Sequence, residues 1–176
     1  MSEEFSSQDN VLMELQVYKV TGNYIWPYFA KHHYLSKSFT GAHSFIAVNK
    51  EGQPVAMVGI SALPSGTLKN AWRGHRTVVA PDYQGLGIGA RLSEWVGEWV
   101  LRELGGRYYC KTSHPRLGEY RENSPYWRPT SKNKRLRYKS EADNHAVNKK
   151  WASDHKRLCY SHEYIGRNLQ EEPNAT

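Results

Sequence analysis

Between Arg76 and Leu104 the chain reads as a strand, a glycine loop and a helix, and this junction constrains the fold more than any other stretch. Arg76-Thr77-Val78-Val79-Ala80 is a β-branched run that ends at Pro81-Asp82. Three glycines, Gly85, Gly87 and Gly89, follow within five residues, and then Leu92, Trp95, Val96, Trp99 and Val100 recur at helical spacing. Glycines let a backbone approach a ligand without Cβ interference. The unpaired amides of a first helical turn, at the positive end of the helix dipole, suit a pyrophosphate. The loop is therefore expected to hold a phosphate-bearing cofactor.

Spacing narrows the choice. A P-loop requires Gly-Lys-Ser/Thr, and no lysine follows Gly89. A dinucleotide fingerprint requires an acidic residue at the end of the next strand, whereas Glu103 falls within the predicted helix. Gln84-Gly85-Leu86-Gly87-Ile88-Gly89, preceded by Val78-Val79-Ala80-Pro81-Asp82-Tyr83, instead resembles the Gln/Arg-x-x-Gly-x-Gly/Ala signature of the GNAT superfamily of N-acetyltransferases. The resemblance implies that Val78, Val79, Gln84, Gly85, Leu86, Gly87, Ile88 and Gly89 bind acetyl-CoA or another acyl-CoA. It also implies that the strands ending near Val79 and near Thr112 splay apart at the thioester.

The surrounding chain supplies a compatible order of elements. Leu12–Val20 alternates as a strand. Tyr24–Ser36 reads as an aromatic helix, with Pro27 tolerable in a first turn. Ser44–Val48 and Val55–Ala62 flank Asn49–Pro54 as a hairpin, Arg73–Ala80 feeds the glycine loop, and Arg107–Ser113 forms the next strand after Gly105-Gly106. A short helix over residues 113–123, a strand at Leu136-Arg137-Tyr138, a helix over residues 141–157 and a last strand Leu158–Ile165 complete the reading. The prediction is an α/β protein with the GNAT fold: a mixed central sheet splayed at the acyl-CoA site, with helices on both faces. Residues 11–167 form one domain between two tails, 1–10 and 168–176.

The polar, acidic start and the lack of a long apolar run predict a cytoplasmic protein without a membrane segment. Cys110 and Cys159, far apart and in no CxxC pair, are expected to be buried free thiols. No histidine spacing matches a closed zinc site; a metal ion is possible but unsupported.

Charge is uneven. The net +7 is accounted for by Arg107–Lys139, where ten Lys/Arg oppose only Glu119 and Glu122. Arg116, Arg121, Arg128, Lys132, Lys134, Arg135 and Arg137, interleaved with Trp127 and Tyr138, suit phosphate contacts and base stacking. Double-stranded DNA is the expected partner, although a charge run also serves as a solvated face and basic residues also meet the CoA phosphate.

Acyl transfer needs a base for the nucleophile's proton and an acid for the departing thiolate. Three places offer such groups: Lys31-His32-His33-Tyr34, which can equally pack the helix on the sheet; Thr112-Ser113-His114-Pro115 at a strand end, where Ser113 can instead cap a helix; and Tyr120–Trp127. In many acetyltransferases a tyrosine in the last position donates a proton to CoA, and both Tyr120 and Tyr126 are eligible.

Lys31-His32-His33-Tyr34-Leu35-Ser36, the Arg76–Gly85 stretch, Thr112-Ser113-His114-Pro115 and Glu163-Tyr164-Ile165-Gly166 together resemble the phage Mom-like proteins, which convert adenine in DNA to carbamoylmethyl-adenine and shield it from restriction. That resemblance implies catalytic roles for His33, Tyr34 and Ser113, with an acidic residue at Glu119 or Glu122, and a base flipped from the duplex. The alternative is a conventional acetyl-CoA-dependent N-acetyltransferase for a small amine, a protein or tRNA.

Overall fold

The computed structural model describes residues 15–32, 39–137 and 157–167. Their elements in chain order are β1 (Gln16–Val20), α1 (Gly22–Ala30), β2 (His43–Val48), β3 (Pro54–Ala62), β4 (Ala71–Val79), a 3-10 turn (Pro81–Tyr83), α2 (Ile88–Glu103), β5 (Arg107–Thr112), α3 (Pro115–Asn123), β6 (Trp127–Pro129), β7 (Arg135–Arg137) and β8 (Arg157–Tyr164). The sheet runs β1-β2-β3-β4-β5-β8-β6, with β7 also paired to β8. Every pairing is antiparallel except β4 with β5. This is the expected mixed sheet, and its one parallel junction sits where the glycine-loop helix makes the crossover.

Helices lie on both faces because both faces of the central strands are apolar. On one, α2 buries Ile88, Leu92, Val96 and Val100, spaced at the helical period, against Phe45, Val58, Ile60 and Tyr108. Val96 and Val100 are fully buried, worth about 1.5–3 kcal/mol each. On the other, α1 sets Trp26 and Phe29 against Ile46, Val48, Met57 and Val78.

Close packing on glycines fixes these layers. The Phe39 ring lies against the Cα atoms of Gly22, Gly41 and Gly59, where any added Cβ would come within 2.2–2.4 Å of it. Gly118 of α3 sits over the Tyr160 ring in the same manner.

Several boundaries differ from expectation. α1 starts at Gly22, so Pro27 lies past the first turn. The helix begins directly after β1 ends at Val20, with Thr21 as its N-cap, two residues ahead of the expected start at Tyr24. α3 is capped by His114, whose Nδ1 accepts from the Leu117 amide at 3.4 Å, with Pro115 at its first position; Ser113 is not the cap. The predicted helix over 141–157 lies outside the described residues, apart from Arg157, which opens β8. Cys110 and Cys159 are free and buried. Among the described residues no helix is long and apolar enough to cross a membrane.

Candidate acyl-CoA site

The parallel pairing of β4 and β5 is short: Ala71, Trp72 and Arg73 match Arg107, Tyr108 and Tyr109, and beyond them the strands separate. β4 continues to Val79 and β5 to Thr112, leaving a gap between them. The β3–β4 register shifts at Gly59/Ile60 and skips His75, a bulge that bends β4 away from β5.

The glycine loop opens at the far end of β4. Gly85 and Gly87 have φ of 86° and 78°, values that cost other residues strain, and the space where their side chains would stand is empty. Gly87 is the N-cap of α2, its carbonyl accepting from the Ala90 and Arg91 amides. The backbone amides of Gly85, Leu86, Gly87, Ile88 and Gly89 have no backbone acceptor among the described residues. No acidic side chain lies in the first turn of α2 to compete for the positive end of the dipole. Five consecutive donors at a helix N-terminus, with no Cβ over two of them, fit a pyrophosphate.

The predicted cofactor set converges, with distinct parts. Val79 packs on Gly89, whose added Cβ would lie 3.0 Å from the Val79 Cγ2 methyl, so only a hydrogen allows α2 this close to β4. Val78 turns its side chain to the α1 face and borders the gap through its backbone alone. Gln84 folds back to donate from Nε2 to the Val79 carbonyl at 3.0 Å. The Tyr83 hydroxyl accepts from Asn49 Nδ2 at 3.0 Å, tying the loop to the β2–β3 turn.

On the α2 side the gap has a polar floor. The Ser93 hydroxyl stands 3.4 Å from the Tyr108 hydroxyl and 3.7 Å from Cys110 Sγ, and accepts from Arg121 Nη2 at 3.1 Å. Arg121 is only 2% exposed and stacks its guanidinium 4.6 Å from the Trp127 ring. It therefore cannot reach a duplex phosphate, contrary to its place in the predicted nucleic-acid set. Beside it, Glu94 is 1% exposed and accepts from Tyr120 Oη at 3.0 Å, Trp127 Nε1 at 3.1 Å and Ser124 Oγ at 3.3 Å. Burial, and then Glu94, push the Tyr120 phenol well above its ordinary pKa, so it stays protonated at neutral pH.

The predicted catalytic residues do not form one cluster. Ser113 sits half-buried at the end of β5. Glu122 faces away, accepting from Asn133 Nδ2 at 2.9 Å, pairing with Lys134 at 3.1 Å and meeting His162 Nε2 at 3.0 Å. Those bonds, Asn133 foremost, hold it below the usual carboxylate range, where it braces the 130–134 loop against β8. Tyr126 lies under the Arg167 guanidinium at 5.4 Å. His33 and Tyr34 lie outside the described residues.

The basic residues are similarly dispersed. Arg116, Lys132 and Arg135 are exposed, Arg128 is paired to Glu163 at 2.9 Å, Lys134 is paired to Glu122, and Arg137 ends β7. Among the described residues no group of three or more His, Cys, Asp or Glu side chains is placed to hold a metal ion.

Sequence reasoning missed Ser93 and Glu94, polar residues on the buried face of an amphipathic helix, and His75 at the bulge. Gly74 inside a strand was the available signal for the bulge.

The acetyltransferase (GNAT) family profile matches residues 14–121. The chain belongs to the GNAT family of acetyltransferases. GNAT proteins of known structure share its fold at low identity. A GNAT acetyltransferase from Elizabethkingia anophelis with acetyl-CoA bound has a TM-score of 0.60 at 14% identity, over 86% of this chain and 97% of that one. The ribosomal-protein-S18-alanine N-acetyltransferase of Escherichia coli gives 0.57 at 10%, over 89% and 97%. The spermidine/spermine N-acetyltransferase of Vibrio cholerae, in complex with manganese ions, gives 0.58 at 11%, over 87% and 92%. No curated protein sequence matches the chain.

Proposed function

We propose that this GNAT protein transfers an acetyl group from acetyl-CoA to the nitrogen of an amine acceptor. The observation that carries the reading is the run of five free amides, Gly85 to Gly89, at the mouth of a gap between two parallel strands. Acetyl-CoA supplies an activated acetyl as a thioester. The glycine loop holds its pyrophosphate, and the unpaired edges of β4 and β5 flank its arm. The transfer forms a C–N bond and breaks a C–S bond, so a proton must leave the amine and another must reach the thiolate. Tyr120, 37% exposed and kept protonated, is the acid we assign to the second task. The test is acetyl-CoA turnover with mixed amines: release of free CoA thiol together with an acetylated product supports the reading, and thiol release at the uncatalysed rate with every amine counts against it.

A second reading makes an adenine of duplex DNA the acceptor, as in the Mom-like proteins. It is favoured by the exposed cations Arg116, Lys132 and Arg135. None of the three neighbours described above is named for DNA, so this reading rests on those cations and on the sequence resemblance. Its test is mass spectrometry of nucleosides from plasmid DNA of expressing cells beside a His33→Ala control. A heavier deoxyadenosine absent from the control supports DNA as acceptor, and unmodified DNA alongside folded protein removes it.

A further inference from the structure

Arg121 is a buried cation for which the fold supplies no counter-ion. It is 2% exposed, it donates from Nη2 to the Ser93 hydroxyl at 3.1 Å, and its guanidinium lies 4.6 Å from the Trp127 ring. Its Nε is buried without an acceptor. Among the described residues no carboxylate forms an ion pair with it. Two acids adjoin the pair in sequence, and both are bonded elsewhere. Glu122, after Arg121, meets Asn133, Lys134 and His162; Glu94, after Ser93, accepts from Tyr120, Ser124 and Trp127.

A guanidinium is a permanent cation, and burying one without an opposite charge is costly. Stacking on Trp127 offsets part of that cost. A fixed, dry charge of this kind stabilises negative charge that develops during a reaction, because nothing has to reorganise when the anion appears.

The charge is directed at the vertex where β4 and β5 part. Having accepted from Arg121, the Ser93 hydroxyl keeps its own proton to donate, and it stands 3.4 Å from Tyr108 Oη and 3.7 Å from Cys110 Sγ. Both atoms reach Gly74, the first residue of β4 past the last parallel pair: a Cβ there would lie 2.8 Å from Sγ and 3.1 Å from Oη. Ser93 and Tyr108 are fully buried and Cys110 is 4% exposed, so the line from Arg121 through Ser93 ends just beneath the vertex. Burial pushes the Tyr108 phenol well above its ordinary range, so it gives Arg121 no anion.

Acetyl transfer brings an anion to this end of the gap. CoA carries its pyrophosphate at one end of a long arm and its sulfur at the other. With the pyrophosphate on Gly85 to Gly89, past the end of β4 at Val79, the sulfur end runs back along β4 toward Gly74. As the C–N bond forms and the C–S bond breaks, the electron pair of the latter goes to sulfur.

We infer that Arg121 is a positioning residue for the departing thiolate, its unpaired charge relayed by Ser93 to the vertex of the gap. The inference rests on the acetyl-transfer reading and deepens it. Arg121 stabilises the negative charge while the C–S bond breaks, and Tyr120, the preceding residue of α3, then delivers the proton.

The experiment titrates the full chain calorimetrically with CoA and with desulfo-CoA, which lacks only the sulfur, at pH 6 and pH 9. The titratable groups around Arg121 and the vertex are Tyr108 and Cys110 on β5, His162 on β8, Glu94 on α2 and Tyr120 and Glu122 on α3. All are present with either probe, so the ratio of the two affinities isolates the sulfur. A thiol ordinarily ionises at about pH 8.5, and a cation that favours the thiolate makes CoA gain on desulfo-CoA as pH rises, by at least about threefold here. In Ser93→Ala the gain should be below twofold. Loss of packing alone weakens both probes alike and leaves the gain in place. A gain below threefold on the natural chain, or of twofold or more in folded Ser93→Ala, overturns the inference. Arg121→Gln, read against the same limits, takes the place of Ser93→Ala if that variant does not fold. No saturable binding of either probe removes the acetyl-transfer reading and the inference with it, whereas binding of both at a constant ratio removes the inference alone.

Discussion

Gly74 faces Cys110 across the point where β4 and β5 part: a Cβ on Gly74 would lie 2.8 Å from Cys110 Sγ and 3.1 Å from the Tyr108 hydroxyl. Gly74 is the first residue beyond the last parallel pair, Arg73 with Tyr109. The strands meet there with no room for a methyl group, and the gap opens just beyond.

Crowding at that contact predicts a compensating pair. Gly74→Ala should cost about 1–3 kcal/mol by overpacking. Cys110→Ala should cost on the order of 1 kcal/mol through lost packing. Because the second substitution makes room for the first, the double variant should be less destabilised than the sum by at least about 0.5 kcal/mol in urea unfolding. Strict additivity would remove the contact.

Gly97 of α2 makes a similar claim on β8. Its added Cβ would fall 2.4–2.9 Å from three atoms of the Tyr164 ring, and that ring is anchored by its hydroxyl to Glu98 at 2.8 Å. Gly97→Ala gains about 1 kcal/mol of helix propensity. Overpacking outweighs the gain, so a net loss of stability is expected in thermal unfolding. An unchanged or raised Tm would show that α2 can slide on β8.

Acid should destabilise the fold in two stages. His162 is fully buried on β8, and burial lowers its pKa although Glu122 opposes the shift. A lowered folded value means that the unfolded chain binds the proton more readily. The contribution is therefore complete above about pH 6.5, the ordinary histidine value, and is lost as pH falls through the lower folded one. Glu122 and Glu163 are also held below their ordinary value; for Glu163, burial pushes upward but bonds from Arg107 and Arg128 outweigh it. Their share persists until the pH passes below about 4.3 and is lost through their folded pKa values. Denaturant midpoints from pH 8 to 4 should fall first in the histidine window, and His162→Gln should flatten that part, leaving the share of His43, also lowered by burial. A wild-type midpoint constant from pH 7 to 5 would contradict this.

Tyr120→Phe removes one hydroxyl from the Glu94 cluster without changing the ring. If the phenol supplies the thiolate's proton, kcat should fall on the order of 100-fold with little change in acetyl-CoA affinity. A fall in affinity with kcat preserved would reassign Tyr120 to packing α3 on α2.

The fold was legible because its signals are local. The Gly85-Leu86-Gly87-Ile88-Gly89 run, the β2–β3 hairpin and the apolar spacing of Leu92, Val96 and Val100 each specify structure within a few residues, and all appear as read. The site was less legible because its polar members are set by tertiary contacts. Arg121 sits in a basic run yet is buried, since its α3 position faces Ser93 and Trp127. Glu122, only one residue on, turns to His162. Charge spacing along the chain carried no sign of either. Nor did alternation alone indicate that His75 and Arg76 share a face, because a bulge changes the period by one residue.

Calorimetric titration with acetyl-CoA, on the natural chain and on Gly87→Ala, tests whether the glycine loop holds the cofactor. One saturable site is expected on the natural chain, and at least tenfold weaker binding in the variant, which places a Cβ at a φ of 78° over the amide cradle and costs roughly 1–2 kcal/mol of backbone strain. Absence of saturable binding by folded protein, or equal affinity in a folded Gly87→Ala variant, would contradict the assignment of the glycine loop as the cofactor site.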